Sequence, residues 1–187
     1  GMGQYIYLAG PEVFFPEADE IFRRKKALCG AHGFCGLAPL DNAIEADPEE
    51  QKAFARSIFL ANERLMQQAD FCIANITPFR GVSADTGTVY EIGYLRGIGK
   101  PVYAYSCTDL PYAERVLASD FAGSSPEADR DGMIIENFGL ADNLMIPFGV
   151  EASGGQIVTA SGERAERAGL ERNLLIFEEV LRRLSSR

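Results

Sequence analysis

Residues 70–76, DFCIANI, and residues 101–105, PVYAY, are short and almost wholly apolar, and between them residues 85–100, DTGTVYEIGYLRGIGK, read as a helix. A strand with one wet face alternates apolar with polar residues, so runs this apolar fit parallel strands covered on both sides. Tyr5–Ala9 is a third such run, closed by Gly10-Pro11, and Gly36–Pro39, preceded by Phe34, is a fourth candidate. Helical spacing from Pro16 to His32 places Ile21, Phe22, Leu28 and Cys29 on one side and Arg23 to Lys26 toward water. Asp47-Pro48-Glu49-Glu50 is a helix start, with Asp47 as N-cap, proline at the first helical position and Glu50 placed to close a capping box. That helix is predicted to run to Gln68. Strands alternating with helices of this length define an α/β fold: a doubly wound, Rossmann- or flavodoxin-like three-layer sandwich, its sheet mainly parallel with about five strands.

The pattern is weaker after Ser106. Residues 119–132 are expected to form an exposed loop or lid. Asn143–Ile146 reads as a strand or as the first turn of a helix, for which Asn143 is a permissible cap. Ser153-Gly154-Gly155 is a break. A final helix is predicted over Glu163–Leu184, whose stripe of Leu170, Leu174, Leu175, Phe177, Val180, Leu181 and Leu184 must bury against the sheet or a partner subunit.

A chain of 187 residues, 47% of them hydrophobic, suits one domain spanning residues 1–187, with Gly1 before Met2 read as a tag remnant. A formal charge of -9 without any Lys/Arg-dense run argues against binding a nucleic-acid polymer, which relies on clustered cations. Cys29, Cys35, Cys72 and Cys107 are scattered, with no CxxC pair, and are expected to be reduced, buried thiols of a cytoplasmic protein. No apolar run reaches the roughly 18 residues of a membrane span.

Ligands of open parallel sheets bind beyond the carboxyl ends of the strands, where residues 10–15, 77–91 and the loop after Tyr105 should converge. Gly10 and Pro11 offer a close backbone approach, and Phe14 and Phe15 are either faces for a planar ring or ordinary core aromatics. With Glu12 and Glu17 near that turn and no basic residue in it, a phosphate would be repelled. Asp85 reads as the N-cap of its helix. Glu91 has only Gly87 and Thr88 one turn back, leaving room above its carboxylate, unless it is simply a solvated helical glutamate. Gly93 and Gly97 are expected to let the helix pack closely, and Gly99 to end it. His32 reads as a helix-end residue. With one histidine, no GxSxG elbow and no Walker A loop, neither a Ser/Cys hydrolase nor an NTP site is indicated. No cofactor and no metal are expected; carboxylates and tyrosines remain.

These residues coincide with a family pattern. Tyr7-Leu-Ala-Gly-Pro11, Asp85 followed by Glu91 in DTGTVYEIGY, Gly99-Lys100-Pro101 and Asp142-Asn-Leu-Met145 together resemble the nucleoside 2-deoxyribosyltransferases, over most of the chain to about Ile146. The resemblance implies that Glu91 is a nucleophile that takes the sugar of a 2'-deoxynucleoside as a covalent ester until a second free base accepts it. It implies further that Tyr7 orients Glu91 and that Asp85 contacts the base and protonates the leaving nitrogen. Asn143 would reach the sugar hydroxyls of a neighbouring subunit's site, in a homo-oligomer. Candidate substrate contacts are then Gly10, Pro11, Phe14, Asp41, Asn62, Gly87, Asn143 and Met145. Some family members carry aspartate where this chain has Asn62, and glutamine where it has Ala43. Members that hydrolyse deoxynucleoside 5'-monophosphates resemble a version with serine and arginine after the first strand, where this chain has Pro11-Glu12-Val13. Hydrolysis by the same glutamate is the alternative reading, and a non-catalytic nucleoside- or nucleotide-sensing domain is the second.

Overall fold

The computed structural model describes residues 3–40 and 45–187. Its main sheet has five parallel strands in the order β2-β1-β3-β4-β7: β1 Gln4–Ala9, β2 Phe34–Leu37, β3 Phe71–Asn75, β4 Val102–Ser106 and β7 Ile157–Thr159. The α/β class, the parallel pairing and the strand number are those the sequence predicts. Side chains of the central strands alternate between two cores. Ile6, Leu8, Phe71, Ile73, Tyr103 and Tyr105 face α1 (Ala18–Ala31) and α7 (Gly169–Ser185). Tyr7, Ala9, Cys72, Ala74, Val102 and Ala104 face α2 (Pro48–Gln68), α3 (Thr86–Gly97) and α5 (Met145–Ala152). That period of two, buried on both sides, is why these strands read as unbroken apolar runs.

Local signals worked where they were strong. Asp47 accepts from the Glu49 and Glu50 amides at 3.0 Å and caps α2, with Pro48 in the first turn. Asp85 accepts from the Thr88 amide at 3.0 Å and caps α3. Gly99 follows α3 with φ of 80°. Gly93 and Gly97, however, are exposed, and a side chain at either would meet nothing within 4 Å, so neither serves close packing. The close approach lies elsewhere, at Gly155, where a Cβ would collide with the Val102 carbonyl as the chain enters β7.

The loop after β1 is a 3-10 turn, Pro11–Phe14, and the first long helix follows it as the sequence predicts. Other expectations need correction. Lys25, predicted to face water, is 2% exposed because its ammonium is drawn inward by an acid. Residues 119–132 form no open lid: after α4 (Tyr112–Leu117), β5 (Ala122–Ser125) and β6 (Ala128–Asp129) pair antiparallel. The last helix is two, α6 (Glu163–Glu166) and α7, because Ala168 is extended and Gly169 has φ of 53°. Cys29 and Cys72 are buried and Cys107 partly so, but Cys35 is exposed. No helix among the described residues is long and apolar enough to cross a membrane.

Candidate active site

Glu91 and Tyr7 come together because of two periodicities. Tyr7 is a buried polar residue on the face of β1 that it shares with Ala9, and Glu91 lies in the second turn of α3, which packs over that face. The Tyr7 hydroxyl donates a hydrogen bond to Glu91 Oε2, and among the described residues Oε1 accepts none. Burial pushes the Glu91 carboxyl up to about 7 from 4.5; the Tyr7 hydrogen bond opposes this and the Asp85 charge adds to it. The Tyr7 hydroxyl, itself fully buried, is held far above the ordinary phenol range by desolvation and by the Glu91 charge.

The carboxylate opens into a cavity of about 250 Å³ at the carboxyl end of the sheet. Gly10, Val13 and Phe14 from the loop after β1 form one wall, Asp85, Gly87 and Tyr90 from α3 another, and Ile58, Phe59, Asn62 and Met66 from α2 a third. Its lining is mostly apolar with a few polar groups, as small-molecule sites are. Gly87 faces this cavity, and a Cβ there would meet only Asp85 Oδ2, at 3.5 Å. Phe14 is 45% exposed and stacks on Phe79 with ring centroids 5.7 Å apart, so it is a wall and not a core aromatic. The aromatic rim of Phe59 and Tyr90 has no counterpart in the sequence reading; their spacing on α2 and α3 carries no signal until the helices are paired.

The remaining candidates divide. Asn62 lines the cavity, but its amide clasps the Leu40 backbone, accepting from the amide at 2.8 Å and donating to the carbonyl at 3.1 Å. Pro11 lines a different cavity. Asn143 and Met145 are absent from the lining of the Glu91 cavity; Asn143 donates to Glu136 at 3.0 Å and Met145 is 73% exposed. Asp41 lies outside the described residues. Glu12 does not project toward ligand. It is wholly buried, paired with Lys25 Nζ at 2.7 Å and accepting from Asn75 Nδ2 at 3.1 Å, so its charge is compensated. It also restricts the residue two positions earlier, since a Cβ on Gly10, at φ of 153°, would strike the Glu12 carboxylate. Arg80 brings a cation to the turn from sequence far away, its guanidinium 5.1 Å from the Phe14 ring centre. The expectation of an uncompensated acidic turn is therefore wrong.

Asp142, buried at 1% exposure, accepts from the Ala84 amide at 2.8 Å and so holds the residue before Asp85. Arg115 stands 3.8 Å from it, too far for a hydrogen bond, and instead donates to the Val82 and Leu110 carbonyls. No cluster of three or more His, Cys, Asp or Glu side chains among the described residues is placed to hold a metal ion.

An α/β sheet with a buried carboxylate opening into a cavity beyond its carboxyl end is the arrangement of a small-molecule site, and comparison with known proteins gives the family. Residues 6–145 match the model of the nucleoside 2-deoxyribosyltransferases, and the chain belongs to that family. It is 32% identical over 166 residues to an uncharacterized protein of Schizosaccharomyces pombe, covering 80% of this chain and 78% of that one. The solved 2-desoxiribosyltransferase from Leishmania mexicana is also 32% identical, with a TM-score of 0.62 over 76% of this chain and 85% of that one. The chain is a deoxyribosyltransferase-like enzyme by family and by structural neighbour.

Proposed function

We propose that this protein exchanges the base of a 2'-deoxynucleoside through a deoxyribosyl ester on Glu91. Glu91 Oε1 attacks the anomeric carbon as the bond from that carbon to the base nitrogen breaks. The bonding pair leaves with the base, whose nitrogen takes a proton from Asp85. A nitrogen of the incoming base then attacks the same carbon and gives its proton to the Asp85 carboxylate, the ester C–O bond breaks, and Glu91 regains its charge. Both displacements pass through an oxocarbenium-like state, which a carboxylate stabilises. The observation that carries this reading is the Tyr7 hydrogen bond, which occupies Oε2 and leaves Oε1 for attack in an apolar cavity.

Gly10 and Phe14 would bound the sugar and base, and Gly87 would clear the space above Glu91. Asn143 and Met145 would act in the site of a second copy. Around them Ile134, Phe138 and Phe148 are 90%, 68% and 53% exposed, an apolar surface that a homo-oligomer would cover. Water in place of the second base would give hydrolysis. Arg80 beside Phe14 supports a 5'-phosphate-bearing substrate as the second reading.

Incubation with a deoxynucleoside, with and without a second base, tests this. A new deoxynucleoside indicates transfer, and free deoxyribose or its 5-phosphate indicates hydrolysis. Brief reaction followed by acid quench should leave one deoxyribosyl unit on the peptide containing Glu91. Unchanged turnover by a folded Glu91→Ala variant would overturn the mechanism.

A further inference from the structure

A second cavity, of about 220 Å³, lies on the α1/α7 side of the loop after β1. Pro11, Phe15, Pro78 and Phe79 give it flat apolar walls. Its polar lining brings several donors together and includes one acidic residue, the exposed Glu17. Arg172 Nε is buried and unpartnered, and among the described residues the Arg172 guanidinium makes no ion pair. Asn173 is 4% exposed, and the direction of its amide is dictated by its neighbours. Lys25 Nζ donates to the Tyr105 hydroxyl at 2.7 Å, which must therefore pass its own hydrogen on to Asn173 Oδ1. That leaves Asn173 Nδ2 as a donor with no partner among the described residues. Gly169 and Leu170, at the start of the 17-residue α7, line the same cavity, and the helix has no side-chain N-cap. A buried unpaired donor such as Arg172 Nε is costly, and an acceptor entering this space would satisfy it.

We infer that this cavity is a binding site, separate from the Glu91 cavity, for a small organic oxyanion. Its carboxylate or phosphate meets Arg172, Asn173 and the first turn of α7, while its body lies against Phe79 and Pro11. The guanidinium and the helix terminus both favour anionic oxygen. At this volume the ligand is smaller than most that fill substrate pockets.

Cys107, a partly buried lining residue, supplies the readout. The Cys35→Ser protein is titrated by calorimetry with 2-deoxyribose 5-phosphate, benzoate and inorganic phosphate, and Cys107 alkylation is followed by mass spectrometry. Expected is saturable binding of one equivalent of an organic anion that slows Cys107 alkylation; the stronger of the two names phosphate or carboxylate. Arg172→Met should weaken binding about ten-fold, the scale of one charge-assisted hydrogen bond, and Glu91→Gln should leave it unchanged. Leu170→Trp, which fills the cavity from another wall, should abolish the protection if Arg172→Met fails to fold. No protection of Cys107 by either organic anion, protection undiminished in the folded variant, or binding lost in Glu91→Gln would each overturn the site. Inorganic phosphate binding as tightly as both organic anions would overturn the role of the apolar walls.

Discussion

Tyr7 donates its hydroxyl hydrogen to Glu91 across 84 positions of sequence, from an interior strand to the helix that covers it. The bond ties one carboxylate oxygen in place and lowers a carboxyl that burial has raised.

Under the proposed mechanism only ionised Glu91 attacks, so activity should have an acid limb near pH 7 in the free enzyme. Tyr7→Phe removes a hydrogen bond that favours the ionised form, and the limb should move to higher pH. A profile of kcat/KM against pH for the two proteins checks the direction.

The same shift acts on stability with the opposite sense from an ordinary paired carboxylate. The folded-state value, about 7, lies above the ordinary 4.5, so the native protein binds more protons in that interval and loses stability as pH rises through it. Glu91→Gln should accordingly be more stable than the parent at pH 8, by up to about 3 kcal/mol, with the gain gone below about pH 4.5. Urea titrations at pH 4 and pH 8 measure the difference.

The loop that walls the Glu91 cavity stands on Glu12 and Lys25, paired at 2.7 Å where both are almost fully buried. Lys25→Met strands a buried carboxylate and should cost about 3–5 kcal/mol. Lys25→Met combined with Glu12→Leu should recover much of that stability, yet lower turnover, because the loop loses its anchor to Asn75. Thermal melts and initial rates on the same preparations separate the two effects.

Glu91→Ala and Asn143→Ala should each be inactive alone, yet regain activity when mixed and refolded together. In a randomly reassociated dimer about a quarter of the sites would hold both native residues. Mixtures that stay inactive while hetero-oligomers form would place Asn143 outside the neighbouring site.

Much of this was legible in the sequence where the signal is local. Apolar runs announced β1, β3 and β4, and Asp47-Pro48 and Asp85 announced their helices, because capping and two-sided burial act within a few residues. Three-residue β7 is too short to show a period. Lys25 looks solvated in any helical projection, and only Glu12 and Tyr105, brought over it by the fold, explain its burial. Asn62 was expected to meet a ligand but is held by the backbone of Leu40, a contact between segments that spacing cannot reveal. Glu91 and Tyr7 were picked out by the family pattern, and the fold supplies their physical connection.

Strand β1 alternates strictly, with Tyr7 and Ala9 toward α3 and Ile6 and Leu8 toward α7. A slip of one residue against β3 would send an aliphatic side chain to Glu91 and press the Tyr7 hydroxyl among the aliphatic residues under α7. Under the proposed mechanism a molecule that threads this strand wrongly would lose its packing and the hydrogen bond that orients Glu91 in the same step.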